Sequence, residues 1–346
     1  MKYLKLFENH TGYEAYKSSQ DYLTPNVSYC VDRNEVHFEK YVRDYSKEYL
    51  TTKALGTGTI SFNILYAMGT EYITSISYST DNGNTWITIT NEDNKESNLS
   101  IEVNVNDGDI ILWKGNANQL GFYSDDDGDY EGSFFSSTCE FDVSGNVMSM
   151  LHGDNFIGKT DYMNTNGIFS CLFSDYYSEH TCMVKSSKDL ILPATTLTEG
   201  CYYCMFSGCT GLTTAPNLPA TTLAQNCYNY MFRGCTGLTA APNLPATTLD
   251  QNCYNGMFDG CTGLTAAPEL PATTLAEGCY SYMFRGCSRL NYIKAMFTTA
   301  PSIRYTQNWV QGVSAIGTFV KNSDATWNVT GPNGIPNGWT VETASA

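Results

Sequence analysis

Apolar and small residues recur at a fixed interval through the second half of this chain. The phrase LPATTL begins at Leu192, Leu218, Leu244 and Leu270, so each copy starts 26 residues after the one before it. A period of about 20–50 residues is typical of solenoids, propellers and other arrays. One unit cannot bury its apolar side alone, and neighbouring units bury a continuous core by stacking. The period therefore predicts a leucine-rich-repeat-like solenoid with about five rungs.

Each repeat is expected to form two walls. Residues 238–242 (LTAAP) predict a short strand, in which Leu238 and Ala240 point into the core and Ala241 points outward. Residues 227–234 predict a turn or short helix on the opposite wall. Positions that stay apolar or small in all four copies are expected inside, and the polar positions that vary are expected at the surface. The varied positions lie in the first copy at 198–200, 203–204 and 207.

Both ends of the array depart from the repeat. The stretch before the first clean copy is degenerate, which is typical of an end cap. After the last copy, the stretches GTFVKN, ATWNVT and GWTVE predict strands that close the open edge of the sheet. Trp309, Trp327 and Trp339 are expected to cover the core at this end.

The first half of the chain predicts two further regions. Residues 53–160 contain five alternating stretches, ISFNILYAM, YITSISYS, TWITIT, LSIEVNV and IILWKGN, which predict a β-sandwich. Residues 79–86 fit the Asp-box pattern S-x-D-x-G-x-T-W, and we interpret them as a hairpin brace. Residues 1–52 predict a strand, a capped helix from Thr11 and a hairpin that turns at residues 32–34. This βαββ piece is too small for a core of its own and should dock on a partner.

The expected fold is therefore mainly β with short helices. Its predicted divisions are an attachment module at 1–52, a β-sandwich at 53–160, a repeat solenoid at 161–297 and a β cap at 298–346.

Two resemblances give these regions a context. The run MFRGCTGLTAAP resembles the core of BspA-like leucine-rich repeats over about residues 167–297, and that family spans adhesins, surface proteins and phage proteins. The segments KYLKLFENHTGYEAY and LTPNVSYCVDRNEVHF resemble the N-terminal segment of structural proteins of gut Bacteroidales phages, including crAss-like phages. The tail FVKNSDATWNVTGPNGIPNGWTVET is similar to repeat proteins of the same group. The resemblance implies a virion component, such as a head fibre, that attaches to other virion proteins through residues 1–52.

Charge and hydropathy narrow the classes of partner. The 346 residues carry a formal net charge of −16 and no basic run longer than two residues, so we expect no binding to nucleic acid or to anionic membranes. The sequence has no run of 18 apolar residues, so it predicts no membrane-spanning segment. The N-terminal segment lacks the apolar stretch of a Sec signal peptide. These features fit a virion protein that assembles in the host cytoplasm and reaches the exterior by lysis.

Cysteine usage fits the same route. Ten of the 13 cysteines fall within residues 182–287, and eight of them recur in register. We interpret these two columns as reduced, buried small hydrophobes, with a ladder of disulfides as the alternative.

The candidate binding residues lie in the repeats. Tyr230 and Tyr282 occupy a varied column, and Arg233 and Arg285 follow each of them by three residues. An exposed Tyr beside an Arg is a plausible contact for a host-surface glycan or protein, and ordinary solvated repeat surface is the alternative.

Metal binding and catalysis have less support. Asp125, Asp127 and Asp129 are the candidate oxygen ligands for Ca²⁺, but Tyr130 stands where an EF-hand loop requires Gly, so a solvated loop is preferred. No histidine frame, nucleophile motif or phosphate-binding loop is present. We therefore expect no cofactor and a non-enzymatic homo-oligomer. The alternatives are a BspA-like cell-surface adhesin and a glycan-cleaving enzyme.

Overall fold

The computed structural model describes residues 27–32, 35–40, 44–65, 73–90, 99–124, 129–162, 165–175 and 181–344. The chain divides into two compact units, Met1–Tyr45 and Ser46–Ala346. The fold is mainly β with a few short helices, as the sequence predicts. The two α-helices of the described residues are single turns, α1 (Ser149–His152) and α2 (Ile303–Thr306).

The first unit contains the expected hairpin. Strands β1 (Val27–Asp32) and β2 (Glu35–Lys40) pair antiparallel, and Asp32 lies opposite Glu35. The connection thus falls within residues 32–34, where the sequence predicts it. The predicted strand and helix that precede this hairpin lie outside the described residues.

Ten strands follow among the described residues of the second unit before the repeats. They are β3 (Leu50–Ala54), β4 (Gly58–Ile64), β5 (Ile73–Ser79), β6 (Ile87–Thr90), β7 (Leu99–Val105), β8 (Ile110–Ala117), β9 (Gly121–Ser124), β10 (Asp129–Gly132), β11 (Phe134–Ser137) and β12 (Phe141–Asn146). Each of the five stretches expected to form a strand contains one within its described residues. Strands β11, β4 and β7 form one sheet, while β12, β3, β8, β5 and β6 belong to a six-stranded sheet. The apolar faces of the two sheets meet where the ring of Trp113 in β8 lies 5.2 Å from that of Phe135 in β11.

The predicted hairpin brace at residues 79–86 has the geometry expected of it. It connects β5 to β6, and both carboxylate oxygens of Asp81 accept hydrogen bonds from Thr85, at 2.9 Å from the amide and 2.7 Å from the hydroxyl. The Ser79 hydroxyl donates to the same carboxylate at 2.8 Å. These bonds favour the ionised form and lower the pKa of Asp81 to about 2.

The boundary expected after residue 52 is displaced. The two units separate between Tyr45 and Ser46, and residue 52 lies inside β3, which is hydrogen-bonded to a strand on each side. Leu50 and Thr52 of this strand are fully buried. Alternation within the short stretch LTTKA is too brief to distinguish a central strand from a linker, which explains the error.

The boundary expected after residue 160 does not separate two cores. The last strand of the six-stranded sheet, β13 (Val184–Ile191), belongs to the repeat region and pairs parallel to β12. A single cluster of buried apolar side chains runs from Leu50 to Trp339. The sheets and the repeats are therefore one body, whereas the sequence analysis divides them into two domains at residue 160.

Consecutive repeats are joined by backbone hydrogen bonds. The amide of Tyr202 donates to the carbonyl of Cys227 at 3.0 Å, and the amide of Tyr228 donates to that of Cys253 at 3.0 Å. The same contact recurs along the turn segments 201–208, 227–234, 253–260 and 279–286, which we call the turn wall. Gly234, with a φ of 72°, occupies the end of its turn as expected.

Side chains stack in columns behind the turn wall. Rings of Tyr202, Tyr228, Tyr254 and Tyr280 follow one another at 5.6, 5.7 and 6.0 Å, with interplanar angles of 15°, 3° and 7°. All four are buried. Each aromatic pair contributes about 0.5–1.5 kcal/mol beyond its buried area, so the column reinforces the stacking of the rungs.

The cysteine columns are reduced, as predicted. The 12 cysteines from Cys139 to Cys287 are buried free thiols. The Cys235 thiol lies 3.1 Å from the Phe206 carbonyl, and Cys261 repeats the contact with Phe232 at 3.0 Å. Desolvation by burial raises the pKa of Cys227 to about 12. The thiols act as small packing groups, and those of Cys235 and Cys261 each donate one weak hydrogen bond.

The strand predicted at residues 238–242 does not form. Leu238 is buried as expected, but Ala240 is exposed and Ala241 packs against the core, the reverse of the prediction. Residues 239–249, all described, make no backbone hydrogen bonds. Pro242 and Pro245 have no N–H to donate, which weakens strand pairing here. The next copy has prolines at the same places, yet its Ala267 and Leu270 amides donate to carbonyls of the strand Tyr292–Ala295, so pairing also depends on a regular partner strand.

The end of the chain forms a three-stranded parallel sheet of β14 (Tyr292–Ala295), β15 (Thr318–Lys321) and β16 (Thr340–Thr343). The stretch ATWNVT, predicted as a strand, is irregular apart from one bridge at Thr330. Trp327 of this stretch is buried in the core, although the backbone around it does not pair as a strand. All three expected tryptophans are buried, and each indole N–H donates to a carbonyl, at 2.8 Å for Trp309, 3.3 Å for Trp327 and 2.7 Å for Trp339.

Candidate ligand-binding surface

The backbone of the turn wall determines how its varied side chains project. Cys204, Tyr230, Gly256 and Tyr282 occupy equivalent positions, and their φ angles are 52°, 55°, 58° and 57°. A left-handed conformation costs a residue with a Cβ about 1–2 kcal/mol. The two tyrosines adopt it because the stacked turns on either side fix the backbone.

The structure brings each candidate Tyr together with its Arg. The Arg233 guanidinium carbon lies 5.2 Å from the centroid of the Tyr230 ring, and that of Arg285 lies 4.8 Å from Tyr282. Both distances are within the range of cation–π attraction. Each pair therefore forms one unit, as the three-residue spacing predicts.

Asp259 lies on the rung between the two arginines. The Nε and Nη2 atoms of Arg285 donate to its two carboxylate oxygens, at 2.9 and 2.5 Å, in a bidentate ion pair. This bond raises the pKa of Arg285. Arg233 is farther away, with its Nε atom 3.8 Å from the carboxylate. Among the described residues, the Arg233 side chain makes no hydrogen bond.

This column corrects one expectation. The varied position of Ser207, Arg233, Asp259 and Arg285 was expected to be exposed in every copy. Ser207 and Asp259 are buried, whereas the arginine side chains are 48% and 38% exposed. The short side chains of Ser207 and Asp259 are covered by the longer arginines of neighbouring rungs. The ion pair with Arg285 compensates the desolvation of Asp259.

Gly256 provides the space that Tyr230 fills. A Cβ added to Gly256 would lie within 2.5 Å of the Tyr230 ring, too close for any side chain. The ring thus lies across the following rung. The alternation of Tyr and Gly in this column is a packing requirement as well as a surface feature.

A third Arg–Tyr pair was missed from the sequence. The guanidinium carbon of Arg304, in α2, lies 5.7 Å from the Tyr305 ring. This segment continues the turn wall, because the amide of Gly278 donates to the Arg304 carbonyl at 2.8 Å. Adjacent residues in the non-repeating tail give no periodic signal, so the sequence offered no means of finding the pair.

The metal candidates receive no support. Asp125 and Asp127 lie outside the described residues, and only the backbone of Asp129 is described, in β10. Within the described ranges, no group of three or more His, Cys, Asp or Glu side chains is arranged to hold a metal ion. The same part of the chain has no helix with the length and apolar character needed to cross a membrane.

Comparisons with known proteins give no family. The chain matches no family model, no curated protein and no solved structure.

Proposed function

We propose that this chain is a non-enzymatic structural or decoration protein of a phage virion, a head fibre or a similar component. Its N-terminal part, residues 1–52 in the sequence interpretation, attaches it to other virion proteins. Its larger unit displays the turn wall to a host-surface glycan or protein. The protein assembles in the host cytoplasm as a homo-oligomer and becomes extracellular on lysis.

The proposal includes a finer description of the fold. Residues 53–160 form a β-sandwich, and the repeats form a BspA-like leucine-rich-repeat solenoid with a 26-residue period. The regular hydrogen bonds between rungs and the stacked Tyr column support this description. Solenoids present extended surfaces for binding, which fits a display role.

The observation that carries the proposal is the division of the chain. A small compact unit, Met1–Tyr45, precedes a unit whose core is continuous from Leu50 to Trp339. Such a division separates attachment from display, and it agrees with the resemblance of the first segment to phage structural proteins.

The direct test is mass spectrometry of phage particles purified by density from the culture that produces this chain. We expect the chain to remain with the major capsid or tail proteins after a high-salt wash. Recovery with the bacterial envelope and absence from the particles would contradict the virion assignment and favour a cell-surface adhesin.

A further inference from the structure

Three arginines stand over tyrosine rings on the same wall of the repeats. They are Arg233, Arg285 and Arg304, on the first, third and fourth of the four rungs whose turns begin near residues 227, 253, 279 and 305. Their side chains are 48%, 38% and 65% exposed. Asp259 and Glu277 pair with these arginines, so the five side chains together carry a net charge of +1 in a chain whose net charge is −16.

The three guanidinium groups differ in what they already bind. Two donor atoms of Arg285 are occupied by their hydrogen bonds to Asp259, whose carboxylate is buried. Besides the Tyr305 ring, the Arg304 guanidinium contacts Glu277 at 3.5 Å, in a pair whose members are 65% and 58% exposed. Exposed pairs contribute about 0–1 kcal/mol, so a ligand anion can displace Glu277 at little cost. Arg233 has no hydrogen-bond acceptor among the described residues.

The Arg233 guanidinium is thus held in one orientation while its hydrogen-bond donors have no acceptor among the described residues. The Tyr230 ring restrains its guanidinium, and the five N–H donors of the group remain available for an oxyanion. Arg285 next to Asp259 shows the same residue type in the same column with a carboxylate bound. A restrained planar fork loses less entropy on binding than a free side chain does.

We propose that the turn wall binds an acidic polysaccharide, with Arg233 and Arg304 as the two anion contacts. This inference specifies the ligand class of the display surface and rests on the proposed function. Arg233 and Arg304 lie on different rungs and at different positions within the rung, so an acidic polymer with many carboxylate or sulfate groups can contact both at once. A stiff polysaccharide also loses less conformational freedom on binding than a disordered acidic peptide does, which favours it as the ligand.

The test measures binding of the full chain to polygalacturonate by titration calorimetry, with dextran as the neutral polymer and polyglutamate as the acidic peptide. We expect polygalacturonate to bind and dextran not to bind. Arg233→Ala and Arg304→Ala should each weaken binding about tenfold, since a charged hydrogen bond is lost. Arg233→Lys should recover only part of the loss, because an ammonium lacks the planar fork.

Arg289→Ala is the matched control. Arg289 is an exposed arginine of the same repeats, and no described ring lies beneath it. Its removal should change affinity by less than about twofold. An unchanged melting temperature shows that each variant is folded.

Four results would overturn the inference: no binding of polygalacturonate, equal binding of dextran, equal weakening by Arg289→Ala, or binding of polyglutamate as tight as that of the polysaccharide. The last result would indicate an acidic protein partner. None of them affects the particle test, so the display proposal can stand if this inference fails.

Discussion

The side chains of Arg285 and Asp259 are 26 residues apart in the sequence and form a two-bond ion pair between neighbouring rungs. The carboxylate is buried and the guanidinium is partly exposed, so the pair combines a desolvated partner with one that water still reaches. Removing a partner from such a pair leaves an uncompensated charge, which is where its stability effect arises.

Arg285→Ala should therefore destabilise the protein by about 1–2 kcal/mol, a value reduced for the exposure of the arginine. Arg233→Ala should cost less than about 0.5 kcal/mol, because its contact with Asp259 is long and its position is exposed. Urea denaturation of the two variants checks this ordering. Equal effects would mean that Asp259 is shared equally by the two arginines.

Gly256→Ala should destabilise the protein by about 2 kcal/mol or more, since the new Cβ meets the Tyr230 ring at a left-handed backbone position. In a Tyr230→Ala background the clash is absent, and only the backbone cost of about 1–2 kcal/mol remains. A double-mutant cycle measures the difference. Additive effects would contradict the placement of the ring over Gly256.

Alkaline pH should weaken the repeats. Burial raises the pKa of Cys227 from 9.0 to about 12, and it also raises the pKa of Tyr228. The folded state thus holds these protons more tightly than the unfolded state does. The corresponding stability is present below about pH 9 and is lost as the pH rises toward 12.

Denaturation midpoints measured from pH 7 to pH 11 check this slope, and Cys227→Ala should make it shallower without changing its sign. A free energy of unfolding that stays constant above pH 9 would show that the thiols are accessible to water in the native state.

Truncation distinguishes the two candidate boundaries. A chain that begins at Ser46 should keep one cooperative melting transition, because β3 is intact. Removal of residues 1–52 also deletes Leu50, whose burial contributes about 1.5–3 kcal/mol, and Thr52, which accepts a 2.9 Å hydrogen bond from the buried indole of Trp113. We expect that chain to melt much earlier or to remain unfolded. Equal melting of the two would restore the boundary at residue 52.

The sequence predicted best the burial of residues that recur in the repeats and the strands whose side chains alternate. Cysteines and tyrosines that recur in register are buried, and the stretches between residues 58 and 117 that alternate are strands. It failed at Ala240 and Ala241, where no strand forms to impose alternation and Ala241 packs against the core. It also missed the continuous core, since the pairing of β12 with β13 joins residues about 45 apart without a local signal.

The sequence predicted the Tyr–Arg pairs within the repeats, but not the burial of Asp259 or the pair at Arg304. Tyr230 and Arg233 are three residues apart in a repeated turn, and that spacing brings them together. The burial of Asp259 depends on arginines from the rungs on both sides, so it follows from stacking rather than from its own segment. Arg304 belongs to a rung that no longer matches the repeat.

The central claim is that the N-terminal unit attaches this chain to the virion, and transplanting that unit tests it most directly. Residues 1–45 fused to an unrelated soluble domain, expressed during infection, should co-purify with particles, whereas the unfused domain should not. The chain that begins at Ser46 should remain folded and be absent from the particles. Exclusion of the fusion together with incorporation of the truncated chain would contradict the account.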